Sequence, residues 1–199
     1  MSENLVIGIT GGIAAGKSTC AHILKSWGVD VLEADDIAKA ILSNNPVVIE
    51  ACVDYFGTKI LTDTNIDRKK LRQVIFANNS ARLWLNQLMH PIIRQELLLA
   101  SQKQVKLYHA LVIPLLFEGN FDYKLNKVVS VISQQQLSRA MIRDNTSRNA
   151  IQQVLSTQVS DAHRIQHSDY LIYNDGQSLE AQLQVIHADL LKFKQTLES

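Results

Sequence analysis

An octapeptide near the amino terminus, GGIAAGKS at residues 11–18, limits the possible folds of this chain more than any other part of the sequence. The octapeptide matches the pattern GxxxxGK[ST], which forms a phosphate-binding loop when a strand precedes it and a helix follows it. Both flanks fit. Residues 5–9 are continuously apolar, as in a strand buried on both faces of a parallel sheet, and a helical pattern begins at Lys17. The sequence therefore predicts an α/β fold that opens with a strand, a phosphate loop and a helix.

Each residue type in this loop has a chemical reason. Glycines such as Gly11 and Gly16 permit backbone conformations that a Cβ would disfavour, so the loop can turn its N–H groups toward phosphate oxygens. We expect Lys17 to reach the β- and γ-phosphates, the Ser18 hydroxyl to ligate Mg²⁺, and Thr19 to contact the α-phosphate. The alternative is an ordinary glycine-rich turn with an incidental Lys-Ser. The loop residues predicted to bind ATP are Gly12, Ile13, Ala14, Ala15, Gly16, Lys17, Ser18 and Thr19, and the predicted cofactor is Mg²⁺.

Four more apolar runs predict strands that join the same sheet. They cover residues 29–32, 110–113, 127–132 and 169–173, and helical patterns separate them. Strands that alternate with helices favour a parallel sheet covered on both faces. We therefore predict a five-stranded parallel sheet flanked by helices.

The stretch between the second and third predicted strands, residues 35–104, has a mostly helical pattern. Asp67 and Ser80 each precede apolar residues at helical spacing, so both are predicted helix N-caps. Pro91 lies inside the second of these patterns, where a proline kinks or divides a helix. After the fourth strand the pattern predicts helices over residues 134–144 and 148–158.

Composition and charge argue against several classes of protein. The net charge of +1, from twenty basic and nineteen acidic residues, is not that of a dedicated nucleic-acid binder. No apolar run approaches the length that spans a bilayer. Cys20 and Cys52 show no metal-binding spacing and are predicted to be buried, reduced thiols. We expect a cytoplasmic protein, a monomer or weak homo-oligomer, that binds neither nucleic acid nor a membrane.

A phosphate loop alone does not separate a kinase from a GTPase switch or a motor ATPase. The chain of 199 residues is short for most motors, and it lacks the Asn-Lys-x-Asp motif of GTPases. A small kinase needs an acid near the acceptor hydroxyl and arginines for the transferring charge. Asp35 follows the second strand, and Arg139 and Arg143 lie four residues apart on one predicted helix. From these residues alone, Asp35 is more simply a helix N-cap, and the arginines are equally a solvated helix face.

Further short motifs follow the loop in a fixed order along nearly the whole chain. They are Glu33-Ala34-Asp35-Asp36-Ile37-Ala38, Ile66-Asp67-Arg68 with Leu71, Met89-His90-Pro91-Ile92, Ile113-Pro114-Leu115-Leu116-Phe117-Glu118, Gln136-Leu137 with Arg139 and Arg143-Asp144, Gln158, Asp169, and Asn174 with Gly176. With this series the sequence closely resembles the dephospho-CoA kinase family. The resemblance implies the P-loop nucleoside triphosphate hydrolase fold. It also implies transfer of the ATP γ-phosphate to the 3′-hydroxyl of dephospho-CoA, the last step of coenzyme A biosynthesis.

The resemblance also implies roles for individual residues. Asp35 matches the catalytic base, and Lys17 and Arg139 complete the predicted catalytic set. The positions that match the acceptor site are Thr10, Arg68 and His90 together with Asp35; His90 is equally a structural histidine. Arg143 joins the ATP-binding set, and Glu118 is a candidate to hold Mg²⁺ through water.

The resemblance further implies how residues 1–199 divide as a single kinase domain. The core comprises residues 1–34, 108–118 and 127–199, and the helical acceptor region comprises residues 35–107. A small lid is expected at about residues 119–126 and the adjoining helix.

Three positions depart from the family pattern. Ala14 and Ala15 stand where serine or glycine is common, which a loop that works through backbone N–H groups should tolerate. Glu33 replaces the first aspartate of an Asp-Ala-Asp segment, so it is left out of the catalytic set. Val154 stands where many members carry an arginine, which weakens any role for that helix face.

Two other functions stay open from the sequence. A kinase for a nucleoside or nucleoside monophosphate would show a similar loop and similar arginines, and the acceptor profile distinguishes it. A nucleotide-gated regulatory protein would not need Asp35, so a change of Asp35 to Asn should leave its function intact.

Overall fold

The computed structural model describes residues 4–119 and 122–197, and the side chain of Phe76 is not included. The chain forms two compact units: Met1–Glu33 with Ser101–Ser199, and Ala34–Ala100. Two residues of the predicted lid, 120 and 121, lie outside the described residues. The last part of the lid segment joins the first unit. Asn126 exchanges hydrogen bonds with Val6, donating its backbone N–H to the Val6 carbonyl and accepting the Val6 N–H.

The first unit is built on the predicted five-stranded parallel sheet. The strands of the chain are β1 (Val6–Gly11), β2 (Asp30–Glu33), β3 (Leu61–Thr62), β4 (Asn65–Ile66), β5 (His109–Val112), β6 (Lys127–Ile132) and β7 (Tyr170–Tyr173). The sheet order is β2-β5-β1-β6-β7, and all four pairings are parallel. β6 has the predicted bounds, and the other four sheet strands differ from the prediction by one or two residues. β3 and β4, which were not predicted, form a separate antiparallel hairpin.

The helices account for most of the remaining chain. They are α1 (Lys17–Ser26), α2 (Ala34–Asn44), α3 (Pro46–Phe56), α4 (Arg68–Ala77), α5 (Asn79–Ser101), α6 (Gln136–Asp144), α7 (Arg148–Ser156), α8 (Asp161–Gln166) and α9 (Leu179–Leu197). Among the described residues, no helix is long and apolar enough to cross a membrane.

Four features of the helices differ from the sequence prediction. Pro91 does not divide α5, which runs through it as one 23-residue helix. Ser80 was the predicted N-cap of α5, but the side chain that caps the start of this helix is that of Asn78, whose Oδ1 accepts the Ala81 N–H. Helix α8 was not predicted, and α7 ends at Ser156 rather than at residue 158. The predicted cap at Asp67 is confirmed, since its side chain accepts the N–H groups of Lys69 and Lys70.

Each unit has its own apolar core. In the first unit, side chains of β1, β5 and β6 pack with α1 and α9 around Ile9, Leu24 and Leu183. In the second unit, α2 to α5 pack around Val48, Cys52 and other buried side chains. Each fully buried leucine or isoleucine contributes about 1.5–3 kcal/mol.

The sheet determines where ligand-binding loops can lie. In the parallel pairings Gly11 lies beside Val131, and Ile132 lies beside Tyr173, so β1, β6 and β7 end at one edge. Ligands of open α/β sheets bind outside the carboxyl ends of the strands. The loops that follow Gly11, Ile132 and Tyr173 are therefore the candidates for the site.

Candidate active site

The phosphate loop joins the end of β1 to the start of α1. Gly16 is the N-cap residue of α1, with φ 118°, and Gly11 has φ 149°. A Cβ on Gly16 would lie 2.4 Å from Nδ2 of Asn174, and one on Gly11 would lie 2.4 Å from the Val131 carbonyl oxygen. The loop glycines therefore combine an unusual backbone with close neighbours, as the sequence prediction requires.

The departure at Ala14 has a structural counterpart. Ala14 has φ 53°, in the left-handed region that residues with a Cβ disfavour by about 1–2 kcal/mol. Strained backbone of this kind persists only where the surroundings enforce it, and it is concentrated at functional sites. The loop accommodates alanine at this position, but with a strained backbone.

Three side-chain amides from distant parts of the chain surround the loop. Gln136, the first residue of α6, is buried against Gly12, and a Cβ on Gly12 would lie 1.9 Å from its Oε1. Gln158 accepts the Ile13 N–H at 3.1 Å, and Asn174 donates to the Ala15 carbonyl at 2.8 Å. In the sequence these three residues belong to the family motifs, but no role was predicted for them.

Lys17 folds back over the loop that precedes it. Its ammonium group donates to the carbonyl oxygens of Gly11 and Gly12, both at 2.8 Å. The helix that follows has no side-chain cap and no acidic residue in its first turn. Its first N–H groups and the positive end of its dipole are therefore suited to an anion. Ser18 and Thr19 lie exposed in this first turn.

Thr10 precedes the loop and is 1% exposed. Within the part of the chain that the structure describes, its buried hydroxyl has no hydrogen-bond partner. A buried hydroxyl without a partner lowers stability by about 1–3 kcal/mol, and such a group in a native protein often has a functional role.

The two predicted phosphate-binding arginines lie on α6. Arg139 donates to the Gln135 side chain at 3.0 Å, and Arg143 makes two hydrogen bonds to the carboxylate of Asp144, at 2.9 and 2.8 Å. Because α6 begins at Gln136, which packs on Gly12, Arg139 lies one helical turn from the loop contact. The contacts with Asp144 use Nε and Nη2 of Arg143.

The segment before α6 is held by Asp175, which follows β7. Its carboxylate accepts the Gln134 N–H and the Ser133 hydroxyl. The backbone hydrogen bond from Gln134 is the largest cause that lowers the pKa of Asp175, and the charge of Arg139 also contributes. The carboxylate therefore stays ionised at neutral pH and fixes the start of α6.

Glu118, a candidate magnesium residue from the sequence, has a structural task. Its Oε1 accepts the Val159 N–H at 2.9 Å and pairs with Arg164 at 3.1 Å. Arg164 is 2% exposed and also donates to the Val159 carbonyl at 2.6 Å.

The remaining predicted residues, Asp35, Arg68 and His90, lie in the second unit. Asp35 is exposed in the first turn of α2, and the helix already begins at Ala34, so Asp35 is not its N-cap. Arg68 is the exposed first residue of α4, and His90 lies on α5. Partial desolvation, and then the charge of Arg94, lower the pKa of His90.

The residues of the loop fit a magnesium ion that arrives with a nucleotide. Within the described ranges no group of three or more His, Cys, Asp or Glu could hold a metal ion. Mg²⁺ in nucleotide sites needs few protein ligands, because phosphate oxygens and water supply the rest. The Ser18 hydroxyl is exposed at the first turn of α1 and is an oxygen of the kind that Mg²⁺ prefers.

A strand-loop-helix phosphate site at the carboxyl edge of a parallel sheet defines a P-loop nucleotide-binding protein. The family model described as dephospho-CoA kinase matches residues 5–180. The chain belongs to the dephospho-CoA kinase family, which catalyses the ATP-dependent phosphorylation of dephospho-CoA in the last step of coenzyme A biosynthesis.

Individual relatives agree with this assignment. A dephospho-CoA kinase from Pasteurella multocida is 40% identical over 190 residues, which are 94% of this chain and 92% of that protein. The structure of a dephospho-CoA kinase from Campylobacter jejuni is similar with a TM-score of 0.67 and 28% identity, covering 94% of this chain and 97% of that one. A structure from Thermus thermophilus has a TM-score of 0.75 at 26% identity, covering 96% and 98%. The family resemblance and the fold class predicted from the sequence are confirmed.

Proposed function

We propose that this chain transfers the γ-phosphate of magnesium-ATP to the 3′-hydroxyl of dephospho-CoA, giving coenzyme A and ADP. One observation carries the proposal. A phosphate loop with Lys17 folded over it lies at the end of β1, in a chain that matches the dephospho-CoA kinase family over residues 5–180.

Nucleotide binding exchanges one set of contacts for another. Lys17 donates to two loop carbonyls, and it gives these up to reach the β- and γ-phosphates of ATP. Backbone N–H groups of the loop supply further donors, other than those of Ile13, Ala15 and Thr19, which already donate to oxygens within the protein. The first turn of α1 supplies a favourable dipole. The cradle therefore exists before ATP arrives, which limits the entropy lost on binding.

Ser18 would hold the magnesium ion, together with phosphate oxygens and water. Such an ion neutralises charge on the β- and γ-phosphates as the transferring group develops its negative charge. Arg139 and Arg143 are proposed to stabilise the same charge from α6.

Asp35 is proposed to orient the 3′-hydroxyl and to accept its proton. It is an exposed carboxylate in the first turn of α2, immediately after the strand β2 leaves the sheet at Glu33. Kinases use a carboxylate in this role, and general-base catalysis contributes about 10²–10⁴-fold. Thr10, Arg68 and His90 are proposed to bind the acceptor. For Thr10, the support is its buried hydroxyl, which lacks a partner among the described residues.

The test compares two neighbouring aspartates in the same helical turn. Asp35→Asn should lower kcat by at least about 100-fold and leave the Kd for ADP within about twofold. The matched control is Asp36→Asn, because Asp36 is exposed and pairs with Lys39 at 2.6 Å. Its activity should stay within about twofold of that of the unmodified protein. Equal losses in both variants, or full activity in Asp35→Asn, would contradict the role of Asp35.

We also propose that the enzyme works in the cytoplasm as a monomer or weak homo-oligomer. The two cysteines are buried free thiols, as is usual in a reducing compartment. Light scattering across a range of protein concentrations tests the oligomeric state, and a stable oligomer at every concentration would contradict it.

A further inference from the structure

Two side-chain amides hold the phosphate loop on either side of its strained residue. Gln158 Oε1 accepts the Ile13 N–H at 3.1 Å, and Asn174 Nδ2 donates to the Ala15 carbonyl at 2.8 Å. Between these two contacts lies Ala14, with φ 53°. Both contacts come from residues more than 140 positions away in the chain, so neither is a local property of the loop.

The backbone beside Gln158 is fixed independently of the loop. The next residue, Val159, donates its N–H to Glu118 and accepts from Arg164 through its carbonyl. Arg164 in turn pairs with Glu118 at 3.1 Å, and its side chain is 3% exposed. Gln158 therefore reaches the loop from an anchored backbone, which allows its amide to restrain the loop.

We propose that Gln158 is a positioning residue, which keeps the phosphate loop in its nucleotide-binding shape by holding the left-handed backbone at Ala14. It acts through the Ile13 N–H and does not contact the nucleotide. The proposal rests on the proposed function in one respect only, that this loop binds the ATP phosphates.

The size of the effect follows from the conformational preference of alanine. Without the restraint, alanine favours the right-handed over the left-handed region by about 5- to 30-fold, whereas glycine populates both about equally. Loss of the Gln158 contact should therefore weaken nucleotide binding by about tenfold when residue 14 is alanine. The loss should be about twofold when residue 14 is glycine.

The experiment is a double-mutant cycle on ADP binding, measured by titration calorimetry with Mg²⁺ present. Gln158→Met keeps the side-chain length but removes the acceptor for the Ile13 N–H, and Gln158→Asn is a second variant, one methylene too short. Each is made with Ala14 and with Ala14→Gly. The matched control is Gln152→Met, at an exposed position of α7.

The expected result is a Kd about tenfold higher for both Gln158 variants, reduced to about twofold by Ala14→Gly, with the Gln152 control unchanged. The KM for ATP should rise in parallel while kcat at saturating ATP stays within about twofold. An unchanged Kd in both Gln158 variants, or the same loss with alanine and with glycine, overturns the proposal. ADP binding needs no acceptor, so the binding experiment tests the role of Gln158 alone. Whether dephospho-CoA is the acceptor is tested separately, by turnover.

Discussion

Replacing Gly16 by alanine tests the geometry of the phosphate loop. At φ 118° an alanine is strained by about 1–2 kcal/mol. Its Cβ would also lie 2.4 Å from Asn174 Nδ2, which must move and lose its hydrogen bond to the Ala15 carbonyl. That bond adds about 1 kcal/mol, so the free energy of unfolding should fall by about 2–3 kcal/mol.

A matched glycine separates the two contributions. Gly28 also has a positive φ, 82°, but a Cβ there would have nothing within 4 Å. Gly28→Ala should therefore cost only the strain of about 1–2 kcal/mol and leave ADP binding unchanged. The difference of about 1 kcal/mol corresponds to about 2–4 °C in Tm for a chain of this size.

The assays are thermal unfolding and calorimetric titration with ADP and Mg²⁺. Gly16→Ala should also weaken ADP binding, since Asn174 and the Ala15 carbonyl form part of the loop support. The double variant Gly16→Ala with Asn174→Ala should cost about 1 kcal/mol less than the sum of the single changes, because both lose the same hydrogen bond. Equal losses of stability and of ADP affinity in Gly16→Ala and Gly28→Ala would refute this account of the loop.

Three further predictions follow from buried groups. Thr10→Val removes a buried hydroxyl that lacks a partner among the described residues, so the free energy of unfolding should rise by about 1 kcal/mol. Turnover should fall, because Thr10 is proposed to bind the acceptor; lower stability with full activity would contradict both expectations. Glu118→Ala removes one of the two carboxylates that pair with the buried Arg164, the other being Asp161, and also removes the acceptor of the Val159 N–H. It should lower stability by about 2–3 kcal/mol without changing the Mg²⁺ concentration needed for half-maximal rate; a shifted Mg²⁺ requirement with unchanged Tm would instead support a magnesium role. Burial raises the pKa of both Cys20 and Cys52 to about 11, so only about one thiol in a thousand is ionised at pH 8. Because the thiolate is the reactive form, a thiol reagent should label these cysteines only after the protein unfolds. Rapid labelling of the folded protein would contradict this prediction.

The sheet and the phosphate loop could be predicted from the sequence because their signals are local. The strands are short apolar runs, and β6 was predicted with its observed bounds, Lys127–Ile132. The loop pattern is contiguous and has a fixed chemical meaning. Asp67 was predicted as a cap because a cap needs only the N–H groups two and three residues later.

What the sequence missed depends on contacts between distant residues. Helix α8 has only six residues and no repeated apolar pattern, and its Arg164 is held by Glu118, 46 positions earlier. The roles of Gln136, Gln158 and Asn174 likewise arise only when the folded chain brings them to the loop. A glutamine on its own has no spacing that signals such a role.

Helix α5 shows how packing can override a local rule. Proline inside a helix removes one hydrogen bond and crowds the preceding turn. The helix nevertheless continues through Pro91, and Leu85, Met89 and Leu97, on both sides of the proline, are buried. The apolar contacts of these side chains offset the cost of the proline.

The most direct test of the account is the acceptor profile of the purified chain. A coupled assay measures ADP release from magnesium-ATP with dephospho-CoA, adenosine, AMP, CMP or pantetheine as acceptor, and mass spectrometry identifies the product. We expect rapid ADP release with dephospho-CoA alone and coenzyme A as the product. Release with a nucleoside or nucleotide instead, or no release with any acceptor from protein that binds ATP, would contradict it.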